Sequence, residues 1–208
     1  MSKEPNETIF NIITLGDSGV GKTSLIRRYL YNLYDDNSMS TIGLTFSFKE
    51  IVLDNNKKVK LKLIDTGGQE KYRALSKSYF KNADGVLFVY SINDEDSFNN
   101  IKEWITLFNE NNNGKDGIPQ ILVETKNDLE RVVNEESSKK FAEEKSLTWI
   151  STSAKTNDKV EELFQEMAEK MYKEYSKTAN SKQINISLKA NPKTGRIKCC
   201  LFKEQTFA

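Results

Sequence analysis

The amino-acid sequence predicts an α/β fold in which a mostly parallel, six-stranded sheet is flanked by five helices. Two observations lead to this prediction. Short apolar runs alternate along the chain with longer amphipathic stretches, which is the pattern of strand and helix units in a parallel sheet. The second and third strands are instead joined by a turn-forming cluster at residues 54–57, which makes them an antiparallel hairpin.

Each element is predicted from its own residues. The apolar runs place strands at residues 8–15, 44–53, 58–64, 85–90, 118–123 and 147–151. The amphipathic stretches place helices at residues 21–32, 70–80, 95–112, 134–145 and 158–175. In the last helix, apolar residues recur three and four positions apart from Val160 to Met171, so we expect one of its faces to pack on the sheet.

One folded domain is expected between two flexible ends. The 208 residues include 11 Phe, 8 Tyr and 2 Trp, which is enough apolar material for a single core. Beyond residue 175 the helical periodicity gives way to Ser, Thr, Asn and Lys. We therefore assign residues 1–7 to a flexible N-terminus, residues 8–175 to the folded domain and residues 176–208 to a flexible basic tail.

Composition and charge exclude several functional classes. The chain has no His and two adjacent Cys, which excludes His-based acid-base chemistry, zinc ligation by His and a disulfide framework. No apolar run approaches the ~18 residues of a membrane-spanning helix, and the polar N-terminus is not a secretory or transit signal. Residues 176–208 carry a net charge of +6 and the rest carries −5, so nucleic acid is not an expected partner. We expect a cytoplasmic protein.

A glycine-rich motif follows the first predicted strand. Residues 16–23 read GDSGVGKT, which fits the pattern G-x-x-x-x-G-K-[ST] between a strand and a helix. The glycines let backbone N–H groups approach a phosphate, Lys22 supplies positive charge for the outer phosphates, and the Thr23 hydroxyl supplies a ligand for Mg²⁺. The motif predicts a nucleoside triphosphate site with phosphate contacts from Gly16, Asp17, Ser18, Gly19, Val20, Gly21, Lys22, Thr23 and Ser24.

Three further segments bear on the identity of the nucleotide. In DTGG, at residues 65–68, a strand-end carboxylate can hold a metal-bound water and a backbone N–H can reach a γ-phosphate. In TKND, at residues 125–128, the Asp128 carboxylate can accept both the ring N–H and the exocyclic amine of guanine. Each segment follows a strand, at the edge where open α/β sheets bind ligands. The predicted base and ribose contacts here are Thr125, Lys126, Asp128 and, with a backbone N–H for the guanine oxygen, Ser153, Ala154 and Lys155.

At these motifs the sequence resembles the Rab family of small GTPases, within the Ras superfamily. The similarity covers about residues 8–175 and is carried by GDSGVGKTSL (16–25), STIGLTF (40–46), KLKLIDTGGQEKYRAL (60–75), SYFKNADGVLFVYSIN (78–93), SFNNIKEWI (97–105), TKNDL (125–129) and STSAK (151–155). The resemblance implies a P-loop NTPase G domain that binds GTP or GDP together with Mg.

Several roles are implied by this resemblance alone. Thr41 would join Thr23 on Mg²⁺ when the γ-phosphate is present, and Asp65 would hold the ion through water. The Gly68 N–H would contact the γ-phosphate. Gln69 would be the catalytic residue that orients the attacking water.

The resemblance also implies mobile loops and protein partners. Tyr34 would lie against the base, and two switch loops, at about residues 35–46 and 66–80, would order around the triphosphate and relax after hydrolysis. Through the switch regions the protein would meet effectors, and it would depend on a guanine-nucleotide exchange factor and a GTPase-activating protein. A monomer is the family expectation.

Four positions depart from the family pattern. Thr125 stands where Asn is usual, so a side-chain amide that braces the base and the phosphate loop is missing. Gly67 replaces Ala, which is expected to loosen the second switch. Ile64 replaces a Trp and Thr45 replaces an acidic residue, and both are expected on the surface that faces effectors.

The function predicted from these features is a guanine-nucleotide switch that slowly hydrolyses GTP and regulates vesicle and membrane traffic. No Arg lies between Arg28 and Thr41, so hydrolysis is expected to be weak without an activating protein, by ~10³ or more in rate. An alternative is a GTP-binding interaction module with little hydrolysis and no stable membrane anchor. A nucleoside or shikimate-like kinase shares the phosphate loop, but it should carry an Arg-rich lid.

Two interpretations of the tail stay open. Cys199 and Cys200 follow a basic segment and resemble the double-cysteine prenylation site of Rab proteins, which would attach the protein reversibly to the cytosolic face of endomembranes. Eight residues follow Cys200, whereas the family ends within a few residues. The other interpretation is a pair of unmodified, reduced thiols.

Overall fold

The computed structural model of the protein describes residues 8–36, 43–66 and 79–189, with side chains to residue 179. The strands are β1 (Thr8–Leu15), β2 (Leu44–Val52), β3 (Lys58–Thr66), β4 (Gly85–Ser91), β5 (Gln120–Thr125) and β6 (Thr148–Ser151). The helices are α1 (Lys22–Tyr31), α2 (Glu95–Asn99), α3 (Ile101–Asn111), α4 (Glu135–Glu144) and α5 (Val160–Lys189).

The six strands form one sheet in the order β2-β3-β1-β4-β5-β6. β2 and β3 pair antiparallel, from Leu44 opposite Thr66 to Val52 opposite Lys58, and every other neighbouring pair is parallel. This arrangement confirms the predicted α/β fold with one antiparallel strand. Because β1, β3, β4, β5 and β6 run in the same direction, the loops that follow them meet at a single edge of the sheet.

Helices cover both faces of the sheet. All seven residues of β4 are buried, as expected for a central strand between two helical layers. On one face, α1 and α5 contribute Leu25, Ile26, Phe164 and Met167 to the core. On the other face, α3 and α4 contribute Trp104, Phe108 and Phe141.

Two predicted helices differ from the observed ones. The stretch at residues 95–112 is divided into α2 and α3 at Asn100, whose carbonyl oxygen accepts from the N–H groups of both Glu103 and Trp104. α5 continues to Lys189 instead of ending near residue 175. No Gly or Pro occurs between residues 176 and 189 to stop it, and the next Pro is Pro192.

Other predictions meet the limits of the described residues. The predicted helix at residues 70–80 lies outside them except for Tyr79 and Phe80, which are helical. The division into an N-terminus, a domain and a tail stays a prediction. Along the part of the chain that is described, no helix combines the length and the hydrophobicity that crossing a membrane requires.

Ile64 corrects one expectation. It was predicted on the effector-facing surface with Thr45, and Thr45 is exposed, but Ile64 is only 1% exposed. Its side chain packs in the core cluster that contains Trp104 and Phe108, on the face covered by α3. An Ile at this position therefore contributes to the core.

Candidate nucleotide-binding site

The loop between β1 and α1 has the backbone geometry of a phosphate-binding loop. Gly16, Gly19 and Gly21 adopt positive φ angles of 149°, 78° and 99°. At Gly16 a Cβ atom would collide with the backbone oxygen of Val89, so no larger residue fits there. Gly21 lies at the N-cap of α1, and the first turn of a helix offers unpaired N–H groups to an anion.

Lys22 is held across this loop. Its Nζ donates hydrogen bonds to the Gly16 oxygen at 2.9 Å and the Asp17 oxygen at 2.6 Å, and the residue is only 4% exposed. Burial lowers the pKa of Lys22 to about 8, although the carboxylates of Asp65 and Asp17 oppose this shift. The ammonium group is thus placed at the loop before any phosphate is bound.

Thr23 and Asp65 form a small oxygen-rich group beside Lys22. The Thr23 hydroxyl donates to Asp65 Oδ2 at 2.7 Å. Asp65 Oδ1 is the one buried side-chain polar atom in the described part of the chain that has no hydrogen-bond partner. Burial raises the pKa of Asp65, while the Thr23 hydrogen bond and the Lys22 charge lower it.

This group fits Mg²⁺. Mg²⁺ prefers oxygen ligands, keeps several waters and is commonly bound through one or two protein oxygens together with phosphates. A buried carboxylate oxygen without a partner, next to a hydroxyl group, suits a hydrated ion of this kind. Over residues 8–36, 43–66 and 79–179, no group of three or more His, Cys, Asp or Glu is arranged to hold a metal ion by itself.

A cleft of about 340 Å³ connects the phosphate loop to the predicted base-binding residues. It is lined by Ser18, Gly19, Gly21, Lys22, Thr23 and Ser24 from the loop and α1, and by Tyr34. At its other end it is lined by Thr125, Lys126, Asp128, Ala154 and Lys155. The two predicted halves of the site therefore lie in one continuous cleft of the size that small-molecule sites have.

Ser153 is buried behind the base end of the cleft and connects the residues that line it. Its buried hydroxyl lies 2.5 Å from Asp128 Oδ1, to which it donates, and it accepts from the N–H groups of Lys155 and Thr156 at 3.1 Å. Because the Lys155 N–H is used in this way, the Ala154 N–H is the better placed of the two for a ligand. The 153–155 loop and the Asp128 carboxylate are therefore fixed to each other.

Thr125 connects the base end to the phosphate loop. Its hydroxyl is buried and lies 2.5 Å from the Val20 oxygen and 2.9 Å from the Tyr90 oxygen, and its single proton goes to one of them at a time. The amide usual in the family is missing, as expected. The hydroxyl nevertheless provides a direct contact between β5 and the phosphate loop.

Comparison with known proteins agrees with this geometry. A sequence model of the Ras family matches residues 11–173. The GTP-binding protein YPTM2 of Zea mays is 34% identical over 197 residues, which cover 92% of this chain and 96% of the relative.

The chain is a Rab-family small GTPase.

The Ras-related protein SEC4 of Saccharomyces cerevisiae is 35% identical, covering 93% of this chain and 92% of its own length. The Ras-related protein Rab-11B of Dictyostelium discoideum is 44% identical over 163 residues, covering 77% and 73%. The fold is accordingly the Ras-family G domain, and members of this family bind guanine nucleotides with Mg²⁺ and hydrolyse GTP.

The Asp17 side chain shows a support of the site in this Rab-family GTPase that the sequence did not predict. Its Oδ1 accepts from Trp104 Nε1 at 2.8 Å, and its Oδ2 accepts from Asn100 Nδ2 at 2.7 Å. The carboxylate is therefore used to attach the phosphate loop to α3. The sequence offered no local signal for this contact because Trp104 is 87 positions away.

Arg28 is a second support that the sequence did not predict. From α1 its Nε donates to the Ala154 oxygen at 2.6 Å and its Nη2 to the Lys155 oxygen at 3.1 Å. The same guanidinium lies 6.0 Å from the ring centre of Tyr34. Arg28 thus connects the phosphate-binding helix, the 153–155 loop and the predicted base contact.

Other predicted site residues of this GTPase lie outside the described residues. These are Thr41, Gly68, Gln69, Cys199 and Cys200. Their roles, like the nucleotide contacts of the residues that line the cleft, stay predictions.

Proposed function

We propose that this Rab-family GTPase is a guanine-nucleotide switch that binds GTP and GDP with Mg²⁺ and slowly hydrolyses GTP in the regulation of vesicle and membrane traffic. The observation that carries the proposal is the continuous cleft between Lys22 and Asp128. The Rab-type relatives support the role in traffic.

The described residues divide the work of binding between the two ends of the cleft. At one end the Lys22 ammonium neutralises charge on the outer phosphates. Thr23 and Asp65 would hold Mg²⁺, and the ion would supply positive charge that stabilises the negative phosphate oxygens during hydrolysis. At the other end the Asp128 carboxylate, oriented by Ser153, accepts from the ring N–H and the exocyclic amine of guanine. Adenine does not present that pair of donors.

The hydrolytic step is assigned from the sequence. Gln69 orients a water for attack on the γ-phosphate, and Thr41 joins the metal site while that phosphate is present. No Arg occurs between Arg28 and Thr41, so this segment supplies no arginine to the transition state. We therefore expect turnover to depend on an activating protein, alongside an exchange factor and effectors that contact the switch regions.

A single-turnover assay with labelled GTP and ATP tests this proposal. We expect hydrolysis of GTP and not of ATP, with Gln69→Leu slowing turnover while nucleotide affinity stays nearly unchanged, because Gln69 acts on the transition state. Gln165→Leu, the same change on α5 outside the cleft, serves as the matched control. Equal turnover in native and Gln69→Leu protein, with and without an activating extract, would instead favour the GTP-binding interaction module.

Membrane attachment is a separate part of the proposal. Two lipid chains hold a protein stably on a membrane and one chain does not, so paired modification of Cys199 and Cys200 is the form that would anchor it. We expect the Cys199→Ser, Cys200→Ser double variant to become wholly cytosolic with normal GTP binding. Fractionation of native and variant protein side by side measures this, and a native protein already soluble with free thiols would exclude the anchor.

A further inference from the structure

A buried carboxylate lies directly beside the base-binding residues. Glu124, at the end of β5 and immediately before Thr125, is 0% exposed. Its Oε2 accepts from the Tyr90 hydroxyl at 2.8 Å and from Arg131 Nη1 at 2.9 Å. Its Oε1 accepts from Arg131 Nη2 and from the Ser151 hydroxyl, both at 2.8 Å. Both oxygens are thus fully engaged, by groups from β4, β6 and the loop after β5.

The pairing with Arg131 closes the base-binding loop. The loop between Glu124 and Arg131 carries Lys126 and Asp128, which line the cleft. The two-pronged contact of the guanidinium with the carboxylate joins the two ends of this loop. Arg131 Nη1 also donates to the Val133 oxygen at 3.2 Å, which connects the guanidinium to the backbone that follows the loop.

The same carboxylate also reaches the second base-binding segment. Ser151, which donates to Glu124, lies two residues before Ser153, and Ser153 donates to Asp128. The backbone oxygen of Glu124 accepts from the Thr152 N–H at 2.8 Å and from the Thr152 hydroxyl at 2.9 Å. The register between the 125–128 and 153–155 segments is therefore set around one residue, Glu124, through its carboxylate and its backbone oxygen.

Stability alone does not account for a charged pair at this position. An ion pair with a buried member loses much of its attraction to desolvation, and apolar residues of similar size are often as stabilising. A planar guanidinium on a carboxylate, however, defines distance and orientation more sharply than an apolar contact does. Geometry is what the neighbouring residues need, because reading guanine depends on where the Asp128 carboxylate lies.

We propose that Glu124 and Arg131 are positioning residues for purine recognition, which hold the 125–128 and 153–155 segments at the separation where guanine fits between their polar groups. The inference rests on the guanine-nucleotide binding proposed above. It assigns to the pair a part of base selectivity, beyond any contribution to folding.

The test compares binding of GDP with that of inosine diphosphate, which lacks the exocyclic amine. Arg131→Lys keeps the charge and loses the two-pronged geometry, and Ser151→Ala removes a different donor to the same carboxylate. The Arg131 side chain is 31% exposed, so its replacement by Lys leaves the core intact. Glu135→Gln is the matched control, because Glu135 contacts the same guanidinium at 3.5 Å from the exposed side.

We expect Arg131→Lys to reduce the preference for GDP over inosine diphosphate about tenfold, which is the size of one hydrogen bond to a charged group. Ser151→Ala should reduce it in the same direction, and Glu135→Gln should leave it unchanged. If the pair were merely structural, the variants would have a lower melting temperature and would bind both nucleotides more weakly by the same factor. Provided that the native protein prefers GDP, that result would overturn the inference. So would an unchanged preference in both variants, or an equal loss of preference in Glu135→Gln. A native protein without any preference for GDP would overturn the proposed function, and this inference with it.

Discussion

The hydroxyl of Thr125 offers a sharp test of how the two ends of the cleft are joined. Thr125→Val replaces this hydroxyl by a methyl group of nearly the same size. The buried Val20 oxygen in the phosphate loop and the Tyr90 oxygen then lose the single donor that they share. We expect a less stable protein that releases GDP faster, since the loop is no longer tied to β5.

The magnitude follows from the burial of this contact. A buried acceptor left without its partner costs about 1–3 kcal/mol. For chains of this length, each kcal/mol lowers the melting temperature by roughly 2–4 °C, so we expect a fall of about 2–12 °C. The change in shape adds little, because the substitution nearly conserves volume.

Thermal unfolding and the release of a fluorescent GDP analogue measure the two effects. Thr125→Ser, which keeps the hydroxyl and loses the methyl group, is the matched control, and we expect it to release nucleotide at close to the native rate. If Thr125→Val unfolds and releases GDP as the native protein does, the hydroxyl is not the brace inferred from its position. Equal acceleration in both variants would also contradict a specific role of the hydroxyl, because Thr125→Ser keeps it.

Two further predictions concern single residues of the cleft. Burial lowers the pKa of Lys22 from 10.5 to about 8 in the nucleotide-free protein. Between pH 8 and 10.5 the unfolded chain therefore binds more protons than the folded protein, so the free protein should become more stable as the pH rises through that range. GDP needs the charged form, so its affinity should fall above pH 8, as calorimetry across pH 7–10 can measure; an equal fall in Lys22→Met would contradict the assignment. Asp128→Asn should shift binding from guanine to xanthine nucleotides, since xanthine carries an oxygen in place of the amine. Competition between GDP and xanthosine diphosphate measures this shift, and an unshifted preference would remove Asp128 from base recognition.

The parts of the molecule that the sequence predicted are those encoded by neighbouring residues. The alternation of apolar runs and amphipathic stretches defined the sheet, and the turn-forming cluster at residues 54–57 defined its one antiparallel strand. The phosphate loop was recognisable because its three glycines, Lys22 and Thr23 all lie within residues 16–23. In each case a local pattern determines the backbone, and the backbone determines the feature.

The supports of the cleft depend instead on contacts between distant residues. The pairs Asp17–Trp104 and Arg28–Ala154 are separated by 87 and 126 positions, so only the packing of helices on the sheet brings them together. Ile64 was misplaced because the resemblance to the family put it on the effector-facing surface, whereas its burial depends on the helical layer that packs on that face of the sheet. The role of Thr125 was underestimated because its short hydroxyl can replace the longer amide only if the Val20 carbonyl lies close to it, and the sequence does not give that distance.

The hydrogen bond between Asp17 and Trp104 also gives the phosphate loop an optical readout. The chain contains two tryptophans, and Trp104 donates its indole N–H to the residue whose backbone oxygen holds the Lys22 ammonium. The emission of an indole responds to the charge near its N–H group. A rearrangement of the loop on nucleotide exchange that alters this hydrogen bond would therefore change the emission of Trp104. In a Trp149→Phe variant Trp104 is the remaining tryptophan, so this change could be followed without an added label.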